Sequence, residues 1–122
     1  MKKINQIDLP ELEKFSIDNM VKGWFVGDFN PSIYQTSNFE VGIKNYQKGD
    51  KEECHFHKGA TEITVVISGS ISMNNVIYTK NDAILVRPGT PVTFQALQDS
   101  VTVVVKYPSV KNDKFNIGDI QC

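Results

Sequence analysis

The sequence between Gly49 and Gly69 reads GDKEECHFHKGATEITVVISG and contains both histidines of the chain. His55 and His57 are two residues apart, so on a β-strand their side chains lie on the same face, with Cα atoms about 7 Å apart. A short turn at residues 58–61 would reverse the chain and bring Glu62 onto a neighbouring strand. Two imidazoles and one carboxylate on one side suit non-haem Fe(II) and related divalent ions. The spacing therefore predicts a metal site at these three side chains.

The remaining sequence predicts an all-β fold. Four stretches, at residues 24–26, 39–46, 61–67 and 101–107, are rich in β-branched and aromatic residues, which favour strands. Segments of this kind recur with turn signals between them, as in sandwiches and barrels. At 122 residues the chain has the length of one domain.

Turns and a short helix can also be predicted individually. Asn74-Asn75 fits the two-residue loop of a hairpin, because asparagine tolerates the left-handed conformation that this loop needs. Pro88-Gly89 fits the central positions of a type II turn. Helical spacing is limited to Leu9, Leu12 and Phe15, where we expect one or two turns of helix. From Pro108 onward the chain is polar, and we expect it to lie over the surface.

The spacing of Gly49, His55, His57, Glu62 and Gly69 resembles the first conserved motif of the cupins at every fixed position. The segment at residues 81–89 is similar to the second cupin motif, with Asn81 where the family usually has glycine. The resemblance implies a cupin double-stranded β-helix, a jelly-roll-like barrel with the first-motif side chains inside it. It also implies one cupin domain over residues 1–122, with the barrel core at about 36–108 and a short N-terminal extension.

The second motif departs from the family pattern where its histidine should be. Val92 stands at the position of the third histidine, and Ala96 stands where the family usually has asparagine. Valine cannot bind a metal, so the standard set provides at most three ligands, unless Gln95 or a residue of another strand substitutes. Phe94 shares strand parity with Val92, and we expect both to line the pocket.

Two further residues near the predicted site have alternative interpretations. Cys54 adjoins His55, so alternation turns it away from the interior, as a small apolar filler or an exposed thiol. Lys106 is expected to be a surface lysine. The alternative is an interior cation that would pair with Glu62 and compete with a metal ion.

Composition excludes several classes of partner. Lys and Arg number 13 against 14 Asp and Glu, so the net charge is −1, without the positive excess that nucleic acids or anionic membranes attract. Two distant cysteines do not suggest a secreted disulfide scaffold, and we find neither a signal-peptide pattern nor a long apolar run. We therefore expect a cytoplasmic protein. The family resemblance implies a homodimer, for which the Trp24-Phe25 strand is a candidate interface.

Function stays open among three classes at this point. The first is a metal-dependent enzyme acting on a small metabolite by oxygenation or isomerisation, with Fe, Mn, Ni or Zn as the ion. The second is a non-catalytic module that binds or senses a small carbohydrate-like or anionic ligand. The third is a metal-free sugar-nucleotide isomerase or epimerase that uses the imidazoles as general bases. The sequence assigns no catalytic residue and implies no organic cofactor.

Overall fold

The computed structural model describes residues 2–4, 7–9, 11–118 and 122. This part of the chain is nearly all β and contains two short 3₁₀ turns, Ile17–Asn19 and Val21–Gly23. Its strands are β1 Lys2–Ile4, β2 Ile7–Leu9, β3 Trp24–Gly27, β4 Tyr34–Gln35, β5 Glu40–Tyr46, β6 Lys51–His57, β7 Thr61–Ser68, β8 Ser70–Met73, β9 Val76–Thr79, β10 Ala83–Val86, β11 Val92–Ala96, β12 Ser100–Tyr107 and β13 Lys114–Asn116. The prediction of an all-β fold is confirmed. None of the helices described is long and apolar enough to cross a membrane.

Two sheets pack against each other to form the barrel. One has the strand order β10-β7-β12-β5-β3-β4, and the other has the order β13-β6-β11-β8-β9. The hairpin of β1 and β2 forms a separate two-stranded sheet. Alternate residues of β11 point inward, and Val92, Phe94 and Ala96 join Val66 and Ile71 in one buried cluster that both sheets supply. Strands β3 and β13 lie outside residues 36–108 and pair with the two sheets.

The predicted turns are confirmed by their backbone conformation. Asn74 and Asn75 both have positive φ, at 50° and 64°, as a two-residue hairpin loop requires. Gly89 has φ of 80°, and the amide of Thr90 donates to the carbonyl of Arg87, closing the type II turn. Asn81 has φ of 73°, which explains how asparagine can replace the glycine of the family motif.

The predicted N-terminal helix is wrong. Residues 11–16 have no regular structure, and Leu9 belongs to β2. Leu12 is fully exposed and Phe15 is 44% exposed, so these two apolar residues provide no buried face to pack. A helix this short is unstable in water without such packing.

The segment after Pro108 lies mostly on the surface as expected, but Asp113 is buried and the segment adds a strand that was not predicted. Strand β13 pairs with β6 and places Lys114 opposite His57 and Phe115 opposite Phe56, whose rings stack at 5.3 Å. Cys54 is fully buried and forms a disulfide with Cys122, so the expectation of an apolar filler or an exposed thiol is wrong. The cytoplasmic location stays a prediction, and this disulfide bears on it because disulfides are rare in reducing compartments.

A buried carboxylate from the same C-terminal segment holds the turn between β6 and β7. Asp113 Oδ1 accepts hydrogen bonds from the amides of Lys58 and Gly59, each at 3.0 Å. Its Oδ2 accepts from Gly59 at 3.1 Å and from Ala60 at 3.0 Å. Because this turn joins the strand of both histidines to the strand of Glu62, Asp113 fixes the spacing between them.

We expect Asp113→Ala to lower the free energy of unfolding by about 2–4 kcal/mol, since three backbone amides, of which that of Ala60 is buried and the other two are part-buried, lose a charged acceptor. Urea unfolding followed by circular dichroism measures this loss. Asp82→Ala is the matched control, because Asp82 accepts one amide hydrogen bond, from Thr79, in an exposed turn, and its loss should stay below about 1 kcal/mol. Equal losses in the two variants would contradict the role of Asp113.

Candidate functional site

The predicted site residues share one cavity in the barrel, although they come from different strands. His55 and His57 on β6, Glu62 on β7 and Phe94 on β11 all line a cavity of about 260 Å³. Val92 does not line it; this residue is buried in the core cluster, where it is the cross-strand partner of His55. The site is thus bounded by both sheets.

His55 has a defined orientation and tautomer. Its Nδ1 lies 2.9 Å from the backbone carbonyl of Glu53, and because a carbonyl oxygen only accepts, Nδ1 donates. In the neutral ring the proton is then on Nδ1, and Nε2 keeps its lone pair for a ligand or an ion. The ring packs edge-on against that of His57, with centroids 5.4 Å apart.

His57 is a buried and neutral imidazole. Burial, aided by the nearby Lys106 and His55, lowers its pKa to about 4, against a weaker opposing effect of Asp113. Its Nδ1 and the hydroxyl of Thr102, which lines the same cavity, are buried and make no hydrogen bond of good geometry with the residues that the structure describes, although Tyr46 lies near Thr102 and the Asp113 backbone near His57. Unpaired buried polar atoms cost about 1–3 kcal/mol each, so a ligand that pairs with them would be stabilised there.

Glu62 completes the predicted set from the neighbouring sheet. Burial raises the pKa of its carboxyl group, and the positive charge of Lys106 opposes that shift. Lys106 is its cross-strand partner on β12. The carboxylate therefore lies in a site where its negative charge is costly and a cation is close.

The expectation of a surface position for Lys106 is wrong. Its side chain is only 16% exposed and lines the cavity. The ammonium group lies 3.7 Å from the Glu40 carboxylate and 4.9 Å from the centroid of the Trp24 ring. The interior alternative is thus correct, with Glu40 as the ion-pair partner. Both faces of β12 carry valines, so alternation alone could not tell which face was inward.

Trp24 is also part of this wall, rather than only a core or interface residue. Lys44 Nζ lies 5.0 Å from its ring centroid and donates to the carbonyl of Lys22 at 2.6 Å. Gly42 lies under the ring, and a Cβ added there would come within 2.7 Å of the indole. Because Gly42 has no side chain, the indole ring can lie against its backbone, with the ammonium groups of Lys44 and Lys106 each about 5 Å from the ring centroid.

Glu52 enters the site through a β-bulge that the sequence did not reveal. Phe94 pairs with Glu52 and Val92 pairs with His55, so β6 has one extra residue between these pairs. The extra residue places Glu52 on the cavity face together with His55. The sequence Asp-Lys-Glu-Glu at residues 50–53 is typical of a solvated turn, but β6 begins at Lys51 and Glu52 lines the cavity. Its carboxylate lies 3.9 Å from Lys114 Nζ.

Comparison with known proteins identifies the fold. No protein-family model matches the chain, and no curated protein matches it. The chain is similar in structure to an uncharacterized protein with a double-stranded β-helix domain from Klebsiella pneumoniae, at 19% identity, with a TM-score of 0.63 over 93% of this chain and 99% of that one. The chain has the cupin fold.

Two other cupin-fold structures are enzymes. The DMSP lyase DddQ of Ruegeria pomeroyi matches with a TM-score of 0.63 and 12% identity, over 84% of this chain and 55% of that one. Oxalate decarboxylase of Bacillus subtilis, described with Mn(II) centres, matches with a TM-score of 0.59 and 20% identity, over 67% of this chain and 25% of that one. At these identities the similarity establishes the cupin fold alone.

The donor atoms in this cavity are of the kind that binds a divalent ion, but their positions are not those of a metal site. His55 and His57 are two imidazole donors, and the Nε2 of His55 is available. Within residues 2–4, 7–9, 11–118 and 122, however, no three His, Cys, Asp or Glu side chains are close enough to hold one ion. The three predicted ligands share a cavity but do not form a coordination sphere in this arrangement.

We expect the metal-free protein to lose stability through His57 as pH falls from about 6.5 to about 4. In that window the unfolded chain binds a proton that the folded protein excludes, so acidification favours unfolding by about 1–3 kcal/mol. When the pH is raised across this window, the free energy of unfolding of His57→Gln should rise less than that of the wild type. Urea unfolding in chelator at pH 7 and pH 4.5 compares the two proteins, and equal pH dependence would contradict a depressed His57 pKa.

Proposed function

We propose that the cupin cavity binds a small anionic metabolite, one that carries a carboxylate or phosphate group. The observation that supports this most directly is the charge of the wall. It contains the lysines Lys22, Lys44, Lys106 and Lys114 and only two carboxylates, Glu52 and Glu62. With His57 neutral, the wall has four ammonium groups and two carboxylates, and Glu40, 3.7 Å from Lys106, reduces the excess of positive charge to one, in a chain whose net charge is −1.

The positive charges repel one another in the absence of an anion. Burial lowers the pKa of Lys44, and the ammonium groups of Lys106, Lys22 and Lys114 lower it further, against the opposing effect of Glu52. An anion between these lysines would relieve this repulsion. Opposite charges 4 Å apart attract by about 4 kcal/mol at the effective dielectric constant of a protein surface, against about 1 kcal/mol in water.

Size and hydrogen bonding limit the ligand further. A cavity of 260 Å³ equals about nine water volumes, which restricts the ligand to a small metabolite. The indole of Trp24 offers a flat apolar wall for its carbon skeleton, and the hydroxyl of Thr102 can donate to one of its oxygens. The neutral imidazole of His57 can accept a proton from a bound ligand, so acid–base chemistry is compatible with this wall.

A divalent metal ion is the second candidate ligand. It is favoured by the convergence of His55, His57 and Glu62 on one cavity and by the Mn(II) centres of the oxalate decarboxylase neighbour. These three side chains would hold the ion, which would supply Lewis-acid chemistry. The position of Lys106 favours the anion instead, because its ammonium group brings a positive charge into the same cavity.

We expect Lys106→Met to weaken the binding of small anions about tenfold or more, because the variant keeps the aliphatic stem and loses one charge contact. Isothermal titration with phosphate, oxalate and citrate measures the affinity. Lys80→Met is the matched control, since Lys80 is an exposed lysine outside the cavity, and it should bind as the wild type does. Equal affinity in Lys106→Met and Lys80→Met would overturn the proposal.

The two candidate ligands are expected to have opposite pH dependence. Because the Glu62 pKa is raised, acidification from pH 7 to pH 5 begins to remove its negative charge, and His57 gains a positive charge nearer pH 4. Anion affinity should therefore rise as pH falls. Affinity for Mn(II) or Zn(II) should fall instead, because protons compete for the same donor atoms. Titrations of Mn(II) or Zn(II) and of oxalate, whose own charge changes little in this range, at pH 7, 6 and 5 test this, and an oxalate affinity that decreases on acidification contradicts the proposed site.

A further inference from the structure

Lys44 places an amino group in the cavity wall without a carboxylate partner. The side chain is half-buried, and it forms no ion pair in the part of the chain that the structure describes. Its Nζ instead donates a hydrogen bond to the backbone carbonyl of Lys22 at 2.6 Å and lies 5.0 Å from the centroid of the Trp24 ring. A hydrogen bond donated to a carbonyl leaves the lone pair of a neutral amine free. Lys44 is therefore a positioned amine that no carboxylate holds in its charged form.

The surroundings of this amine favour its neutral, nucleophilic form. Lys106 Nζ lies 4.9 Å from the centroid of the same indole ring that Lys44 Nζ approaches. Burial lowers the pKa of Lys44, and the charges of Lys106 and two further lysines of the wall lower it more, against the opposing effect of Glu52. A lysine that is desolvated or lies beside another cation is the kind of amine that attacks carbonyl carbons, because only the neutral form is a nucleophile.

Two hydroxyl groups accompany this amine on the cavity side of the sheet. Thr102 is the direct cross-strand partner of Lys44, so their Cβ atoms are about 5 Å apart. Its hydroxyl is buried and makes no hydrogen bond of good geometry with the residues that the structure describes. Tyr46 follows two residues after Lys44 on β5, and burial raises the pKa of its phenol, which therefore stays protonated. Both hydroxyls can donate to an oxygen atom of a ligand beside Lys44.

We propose that the Lys44 amine condenses with the carbonyl group of a small 2-oxo acid in this cavity and forms a protonated imine. The inference rests on the proposed anion site, because the carboxylate of the acid would contact the neighbouring ammonium groups, such as that of Lys106. A 2-oxo acid has its ketone next to its carboxylate, so one small molecule brings both groups to adjacent positions on the wall. A cavity of about 260 Å³ accommodates a molecule of this size.

Imine formation balances without an oxidant or a reductant. The Lys44 nitrogen bonds to the carbonyl carbon, and the resulting carbinolamine loses its hydroxyl group as water. Two hydrogens of the ammonium group leave with the carbonyl oxygen, and the third stays on the imine nitrogen. The amino group therefore carries the same positive charge before and after the reaction. Thr102 and Tyr46 would donate hydrogen bonds to the oxygen as it leaves.

Reductive trapping with pyruvate locates the imine. The wild type is incubated at pH 7 with pyruvate and cyanoborohydride, which delivers hydride to the imine carbon and leaves a stable secondary amine. Peptide mass spectrometry then compares the modification of Lys44 with that of Lys80, an exposed lysine outside the cavity. Lys44 should be modified about tenfold more than Lys80, because the bound ketone is held beside its amine. Excess oxalate should remove this preference, since it occupies the anion site and has no ketone.

Two controls separate the imine from general lysine reactivity. Lys44→Arg keeps the positive charge but has no nucleophilic amine, so a folded variant should show only the background modification seen at Lys80. Acetone, a ketone without a carboxylate, should show a smaller preference for Lys44 than pyruvate does. If circular dichroism shows that Lys44→Arg does not fold, the oxalate competition in the wild type decides.

Preferential trapping of pyruvate at Lys44 that oxalate abolishes supports the proposal. Equal modification of Lys44 and Lys80, trapping at Lys106 instead, an equal preference with acetone, or a preference that persists in oxalate would each overturn it. Isothermal titration with oxalate tests the anion site without imine chemistry. Oxalate binding without preferential trapping at Lys44 would overturn the imine and leave the anion site standing, whereas absence of both would overturn both.

Discussion

Burial of charge inside a small barrel is the constraint on which the site depends. Removing an ammonium or carboxylate group from water costs several kcal/mol unless an opposite charge or hydrogen bonds replace the solvent. Lys106 is compensated by Glu40 and by the face of Trp24. Lys114, which pairs with Glu52, is half exposed and keeps part of its water. His57 meets the same constraint by staying neutral. The excess of lysines over carboxylates leaves positive charge that a bound anion would compensate, so ligand binding should also stabilise the fold.

The same constraint explains why the segment from Asp113 onward contacts the turn and the strands of the site. Asp113 is itself a buried carboxylate, and four backbone hydrogen bonds from the turn after His57 replace its water. The strand that follows brings Lys114 to the cavity, and the Cys54–Cys122 disulfide links the end of this segment to the histidine strand. Residues that are far apart in sequence therefore determine the shape of the first-motif turn.

Much of the barrel could be predicted because its signals are local. Positive-φ positions at Asn74, Asn75 and Gly89 follow from the residue types, and strand parity brings His55 and His57 to one face. The contributions of Glu52, Lys106 and Asp113 could not be predicted in this way. They depend on a bulge, on which of two apolar faces turns inward, and on contacts across more than fifty residues. Such features arise from tertiary packing, and a single sequence does not display them.

The ambiguity over the orientation of Lys106 has its physical origin in the two apolar faces of the strands around it. Strands β7 and β12 alternate between residues that serve the cavity and residues that face outward, and both sets include many valines and threonines. A strand that must be apolar on its outer face as well as its inner one loses the polar alternation that would reveal its orientation. The charged residues Glu62 and Lys106 are then the exceptions, each next in sequence to an outward Ile63 or Val105.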